Sequence, residues 1–321
     1  MSPSLEPVGY LSAPLGISSD PTLPSDSQAH RNMATTTVVT SASKTGLNDD
    51  NVLFGANQTE VHRLDMQHQC IHDANPTFVY APLDLSKGGY KILDQATGSG
   101  IWIREARAAA GADNEWVGSD IEDQYFPTDP PADTTYRHQS MTEPWPEHWR
   151  GYFDLVHSRM ALPGVGVFPL ATAVKNLISL IRPGGWIQLV EVEWNDWRMG
   201  PEGTVFRDAI RGLFAAVTGG QGVDLRERLI PMLEEAGLVG IGYKVIVTPF
   251  GARASERIRA TSEASLFATA MGVSTTTRML PPIGVSREQL DVMPERVLAE
   301  AKREGWESRH FVLWAQKPLA E

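Results

Sequence analysis

The sequence predicts an α/β fold on a mainly parallel sheet with a helical cap. Three observations predict it. Short apolar runs alternate with helix-period segments from residue 90 onward, the first run ends in a glycine turn that opens a helix, and three later helical segments fall outside the alternation.

The elements follow in order. Residues 1–45 draw 20 positions from Ser, Thr and Pro, a composition that cannot bury enough apolar surface to offset chain entropy, so a disordered tail is expected there, with one folded domain over 46–321. NQTEVHRLDMQHQCIH (57–72) has the spacing of an amphipathic helix, and 81–89 is a loop. YKILD (90–94) is a strand, ATGSG (96–100) a glycine turn, and 101–111 a helix stopped by Gly111. Strands are predicted over 115–121, 134–140, 153–160, 186–194, 240–250 and 309–318. Helices are predicted over 170–181 and 225–238, with RPGG (182–185) as a turn. The helices near 203–216, 255–271 and 286–304 belong to cap insertions over 196–223 and 251–308. Phe206, Phe214, Phe267, Met271, Met279 and Met293 there suit a partial lid over an apolar small molecule.

Composition narrows the function. The formal net charge is −11, which disfavours nucleic-acid binding because that needs a surplus of Lys and Arg. A single cysteine, Cys70, excludes an intrachain disulfide and a cysteine-built zinc site, and it reads as a small helical residue. No His-x-x-x-His pair has a third ligand at a sensible spacing, so no metal site is expected. The opening residues lack a secretory pattern and no apolar run is long enough for a membrane span, so a cytoplasmic location and no membrane partner are expected.

The chemistry concentrates at the first glycine turn, Asp94-Gln95-Ala96-Thr97-Gly98-Ser99-Gly100. Such a turn puts backbone N–H groups at a helix start, where ligands of open α/β sheets sit. The Gly-Lys-Ser/Thr of a P-loop is missing, and Ile103 stands where a dinucleotide fingerprint needs glycine. Asp94 at the strand tip suits an ammonium group and repels a pyrophosphate. A second acid, Asp120, ends the next strand about 20 residues after Gly100, where a carboxylate accepts from two ribose hydroxyls. An amino acid joined to a ribose without 2′-phosphate matches S-adenosylmethionine.

At this point the chain resembles the class I S-adenosylmethionine-dependent methyltransferases, and within them the fungal LaeA-like group of secondary metabolism. The resemblance is carried by EVHRLDMQHQ (60–69), ILDQATGSGIW (92–102), WVGSDI (116–121), FDLVHSRMAL (153–162), LIRPGGWIQLVE (180–191), LEEAGL (233–238) and HFVLWAQKP (310–318). It implies a Rossmann-like seven-stranded methyltransferase sheet with the last strand antiparallel and helices on both faces. It also implies methyl transfer to O or N of a small-molecule secondary metabolite. Asp94, Thr97, Gly98 and Gly100 would surround the cofactor's methionine end, Asp120 would hold the ribose, and Ile121, Ser140 and Met141 would lie by the adenine. His157, Ser158 and Arg159 would face the reaction chamber. One departure is Ala96, where the family has glycine: either the turn keeps ordinary φ there or cofactor binding weakens. Two alternatives stay open, a LaeA-type regulatory protein and a non-methylating cyclase on the same fold.

Methyl transfer to O or N benefits from a base with a pKa near the working pH, and His157 at a strand's carboxyl end is the candidate, with a buried packing histidine as the alternative. His68 and His72 are expected on a helix surface. Glu191 and Glu193 alternate with Val192, so either one lines the pocket or both are solvated. Trp102, Trp186, Trp194 and Trp197 stand near the expected mouth, and core packing is the expected role of Trp102 and Trp186.

Overall fold

The computed structural model describes residues 54–55, 57–221 and 223–319; the tail expected over 1–45 lies outside the described residues. Among the described residues no helix is long and apolar enough to cross a membrane.

Seven strands form one sheet: β1 Lys91–Gln95, β2 Glu115–Asp120, β3 Thr134–His138, β4 Phe153–Arg159, β5 Ile181–Val192, β6 Val239–Phe250 and β7 Trp306–Gln316. Their order is β3-β2-β1-β4-β5-β7-β6. The first five run parallel, and β7 lies antiparallel between β5 and β6. The helices are α1 Gln58–Ala74, α2 Ile101–Ala110, α3 Leu170–Leu180, α4 Pro201–Val217, α5 Leu225–Glu235, α6 Arg259–Thr277 and α7 Arg287–Glu304.

The two-residue period of the strands sorts the core into two layers. Ile92 aligns with Trp116 and Leu155, and Leu155 with Trp186. These pack with Trp102, Ile103 and Ala106 of α2. Leu93, Val117, Val156 and Ile187 point the other way and pack against α3 and α5 through Leu177, Leu180, Leu229 and Leu233. Burying each such side chain contributes about 1.5–3 kcal/mol, so a one-residue register slip would forfeit both layers.

The expected turn at 182–185 is instead the start of β5. The pairing with β4 shifts register between Phe153 and Leu155, and a Cβ at Gly185 would lie 2.8 Å from the Phe153 carbonyl oxygen. The Gly-Gly pair allows close backbone approach at a bulge rather than chain reversal.

Helices α4, α6 and α7 share their own apolar cluster, which includes Phe206, Leu266, Val273, Met293, Val297 and Trp306. Of the six expected lid residues, Met271 and Met279 are exposed. Helix α4 has no capping side chain of its own. Its first N–H groups are met from α7: Glu300 accepts from Gly200, Glu202 and Gly203, and also from the Trp306 indole. Glu300 is buried, and a Cβ at Gly200 would run into its carboxylate.

Candidate active site

A cavity of about 300 Å³ opens above the carboxyl ends of β1, β2, β4 and β5. Its floor is the glycine turn, Asp94 to Ser99, with Asp120 and Ile121 from the end of β2. One wall is the loop after β4, another is α1, and the roof is the cap.

The turn is tightly determined. Asp94 Oδ2 accepts from the Thr97 hydroxyl at 2.7 Å. Asp120 Oδ2 accepts from the Gly98 N–H at 2.8 Å, and Oδ1 from the Glu122 N–H at 3.1 Å. Gly98 and Gly100 both have positive φ. Gly100 is not on the cavity wall; a Cβ there would collide with the Tyr136 hydroxyl, so the turn requires glycine at this position. Ala96 resolves its alternative: its φ is 56°, so the alanine adopts the left-handed conformation the family's glycine would hold. That costs about 1–2 kcal/mol. Met160, directly after β4, is a second non-glycine residue at positive φ, 51°, and it also lines the cavity. Strain of this kind gathers at sites where geometry is over-determined.

Two buried carboxyls in this wall are held above the ordinary carboxylate range. Burial pushes Asp120 up to about 6, against the pull of its backbone donors. Glu191, 1% exposed, is pushed up to about 7 by burial. Glu191 Oε1 accepts from the N–H groups of Ala161 and Leu162 at 3.0 and 2.9 Å, which fixes the carboxyl at the cavity edge. Among the described residues no donor reaches its Oε2. Neither glutamate of the pair is solvated: Glu193 is buried and pairs with Arg226 at 3.3 Å.

His157 takes the buried placement of its packing alternative, and His68 is placed differently from expectation. His157 does not line the large cavity. It is buried below the turn, its Nδ1–H donates to Asp94 Oδ1 at 2.7 Å, and its ring stacks on Trp102 at 3.9 Å. Burial lowers its pKa while the Asp94 carboxylate opposes the fall. Its Nδ1 is thus engaged by Asp94 and its ring by Trp102, the placement of the packing alternative. The alternation along β4 explains this, since Asp94 and His157 are register partners on one face beneath α2 and α1. His68 is not on a surface but 1% exposed. Arg159 can only donate, so His68 Nδ1 accepts from it at 3.0 Å, and Nε2–H donates to Glu105 at 3.0 Å. Burial and the Arg159 charge lower the His68 pKa to about 2, so the ring is neutral. Burial raises the Cys70 thiol to about 12, in keeping with a packed helical residue.

Of the other expected residues, Thr97, Ile121 and Met141 line the cavity. Ser140 is buried beside it, bonded to Thr142, and stays off the wall. Ser158 also stays off it and donates to Gln95 at 2.7 Å. Trp194 and Trp197 stack at 5.6 Å and line the roofed end with Phe206, Phe214 and Trp306. Trp102 lines the cavity as well as packing in the core. Sequence reasoning missed Glu60, Arg63, Leu64 and Gln67 of α1, all on the wall. Their spacing, with Ile71, is one helix face, which was the available signal. It also missed His310, buried on β7 with Nδ1 unpartnered, where burial and Arg159 lower the pKa to about 4.

A sheet with its last strand antiparallel and two acids at the first two strand tips defines a class I methyltransferase architecture. No protein-family model matches the chain. The chain is 33% identical to methyltransferase psoC of Aspergillus fumigatus over 261 residues, covering 81% of this chain and 95% of that one. It is 42% identical to N-methyltransferase sirN of Leptosphaeria maculans over 145 residues, 45% of this chain and 51% of that one. It is 26% identical to N-methyltransferase gliN of Aspergillus fumigatus, covering 84% of this chain and 98% of that one. Among solved structures, the YcgJ protein from Bacillus subtilis is similar over 78% of this chain and 99% of that one, at 12% identity and a TM-score of 0.44. The chain belongs to the fungal secondary-metabolism family of class I S-adenosylmethionine-dependent methyltransferases, and it is a methyl-transferring enzyme.

Proposed function

We propose that the cavity holds S-adenosylmethionine at its floor and methylates a nitrogen of an apolar small molecule under the cap. One observation carries this reading. Asp94 and Asp120, both buried, flank the glycine turn in the wall of a cavity whose far end is aromatic and aliphatic. The donor set fits the cofactor: Asp94 for an ammonium group, Asp120 for ribose hydroxyls, Ile121 and Met141 for the adenine faces. When bound, S-adenosylmethionine supplies a sulfonium methyl group whose C–S bond breaks as the acceptor's lone pair attacks, leaving a neutral thioether.

The chain's own contribution is placement and proton handling. The stacked Trp194 and Trp197 and the phenylalanines of α4 hold a flat apolar body and exclude water. Glu191 is the proton acceptor: its Oε2 takes the proton from the acceptor nitrogen while the Ala161 and Leu162 N–H groups steady Oε1. A carboxyl near pH 7 is matched to that task. The names of sirN and gliN, both N-methyltransferases, favour nitrogen over oxygen as the methylated atom.

Calorimetric titration with S-adenosylmethionine tests the floor. Asp120→Ala is expected to weaken binding by about 1–3 kcal/mol, because a charged acceptor for the ribose is lost. Unchanged affinity would remove Asp120 from the site.

A further inference from the structure

We infer that Arg159 is the carboxylate anchor for the amino-acid end of the cofactor, held in place from behind by His68 and Glu105. This rests on the floor of the cavity being the cofactor site, as proposed above.

Arg159 is the last residue of β4, two positions beyond His157 and therefore on the face that carries Asp94 on the adjacent strand. It lines the cavity together with Asp94. Among the described residues its side chain forms no ion pair and makes one hydrogen bond, to the uncharged His68 ring at 3.0 Å. Most of the five N–H groups of the guanidinium are thus left without a partner. Asp94 and Glu105 act on it only through their fields, and burial pulls its pKa below the usual arginine value. Arg63, the other arginine of the wall, provides the contrast. It is closed off by a two-pronged contact with Glu60 at 2.7 and 2.6 Å, so it has no charge to spare.

A half-buried guanidinium facing a cavity without a counter-ion is a ready partner for a ligand that brings the missing anion. An α-amino acid carries its ammonium and carboxylate on one carbon. It therefore needs an acceptor and a donor side by side, and Asp94 and Arg159 are that pair. The Glu105–His68–Arg159 chain serves orientation. Glu105 fixes the His68 tautomer, the bare Nδ1 of His68 receives one guanidinium N–H, and the remaining N–H groups are left for the carboxylate. Glu105 and His68 are positioning residues, since neither lines the large cavity.

The test is calorimetric binding of two probes, S-adenosylmethionine and its decarboxylated form, which keeps the ammonium and nucleoside and lacks only the carboxylate. Wild-type protein is expected to prefer the full cofactor. Arg159→Gln is expected to lose about tenfold to a hundredfold in affinity for S-adenosylmethionine while its affinity for the decarboxylated probe stays within about twofold. Arg159→Lys, which keeps the charge and loses the fork, is expected to retain part of the preference. Equal weakening toward both probes in both variants, or no weakening toward either, would overturn the assignment. Wild-type protein that binds neither probe would overturn the cofactor site itself. Wild-type binding with an indifferent Arg159→Gln overturns the anchor alone.

Discussion

Replacing Glu191 by Gln should change stability in a way that depends on pH. In the folded protein burial raises this carboxyl from 4.5 to about 7. A carboxyl raised on folding binds its proton more tightly in the folded state, so it opposes folding once it must ionise. Below about pH 4.5 it is protonated in both states and contributes no penalty. Between 4.5 and about 7 the penalty grows, and above 7 it is constant. At 1.36 kcal/mol per pKa unit the plateau is about 3 kcal/mol. Glutamine keeps an oxygen for the Ala161 and Leu162 N–H groups and never ionises. Urea denaturation of Glu191→Gln and wild type at pH 4.5, 6 and 8 should therefore show near-equal stability at the lowest pH. At pH 8 the variant should be ahead by about 2–3 kcal/mol. Taking the difference cancels groups that titrate alike in both proteins. Turnover should move the opposite way and fall in the variant. A stability difference flat across pH, or a variant weaker than wild type at pH 8, would refute the reasoning that this carboxyl is desolvated and poised.

Two further outcomes concern the fold around the site. Ala96→Gly should stabilise the protein by about 0.5–1 kcal/mol, since relief of an alanine at φ 56° exceeds the entropy that glycine adds to the unfolded chain; chemical denaturation reads it. Glu300→Ala should cost about 3 kcal/mol or more, because three backbone N–H groups and the Trp306 indole lose their acceptor, and thermal unfolding should show the loss.

The centre of the sheet was legible in the sequence because β1, β2 and β4 are short, largely buried runs bounded by turn residues, and buried parallel strands leave that trace. The ends were less so. RPGG carries turn chemistry, yet its glycines serve a bulge in β5, a use that depends on where the Phe153 carbonyl lies. The buried acids Asp94 and Asp120 in the cavity wall were legible from strand-tip position. His157 was left between two placements and His68 was misplaced because spacing gives a side chain's face but not what covers that face. His157 sits under Trp102, and His68 is enclosed by Glu105 and Arg159, partners 37 and 91 residues away in sequence. Glu191 was left between two outcomes for the same reason: its burial comes from the loop after β4, not from its own strand.

The Glu300 tie has a mechanical meaning. One carboxylate fastens the beginning of α4 to α7 and to the first residue of β7, whose later residues Ser308 and His310 form part of the chamber. Lifting the start of α4 away from α7 would break three of these hydrogen bonds at once, and parting α7 from β7 the fourth. The start of α4 and the first residue of β7 are thereby referenced to one point on α7, so a change at that carboxylate would be felt at two borders of the chamber together.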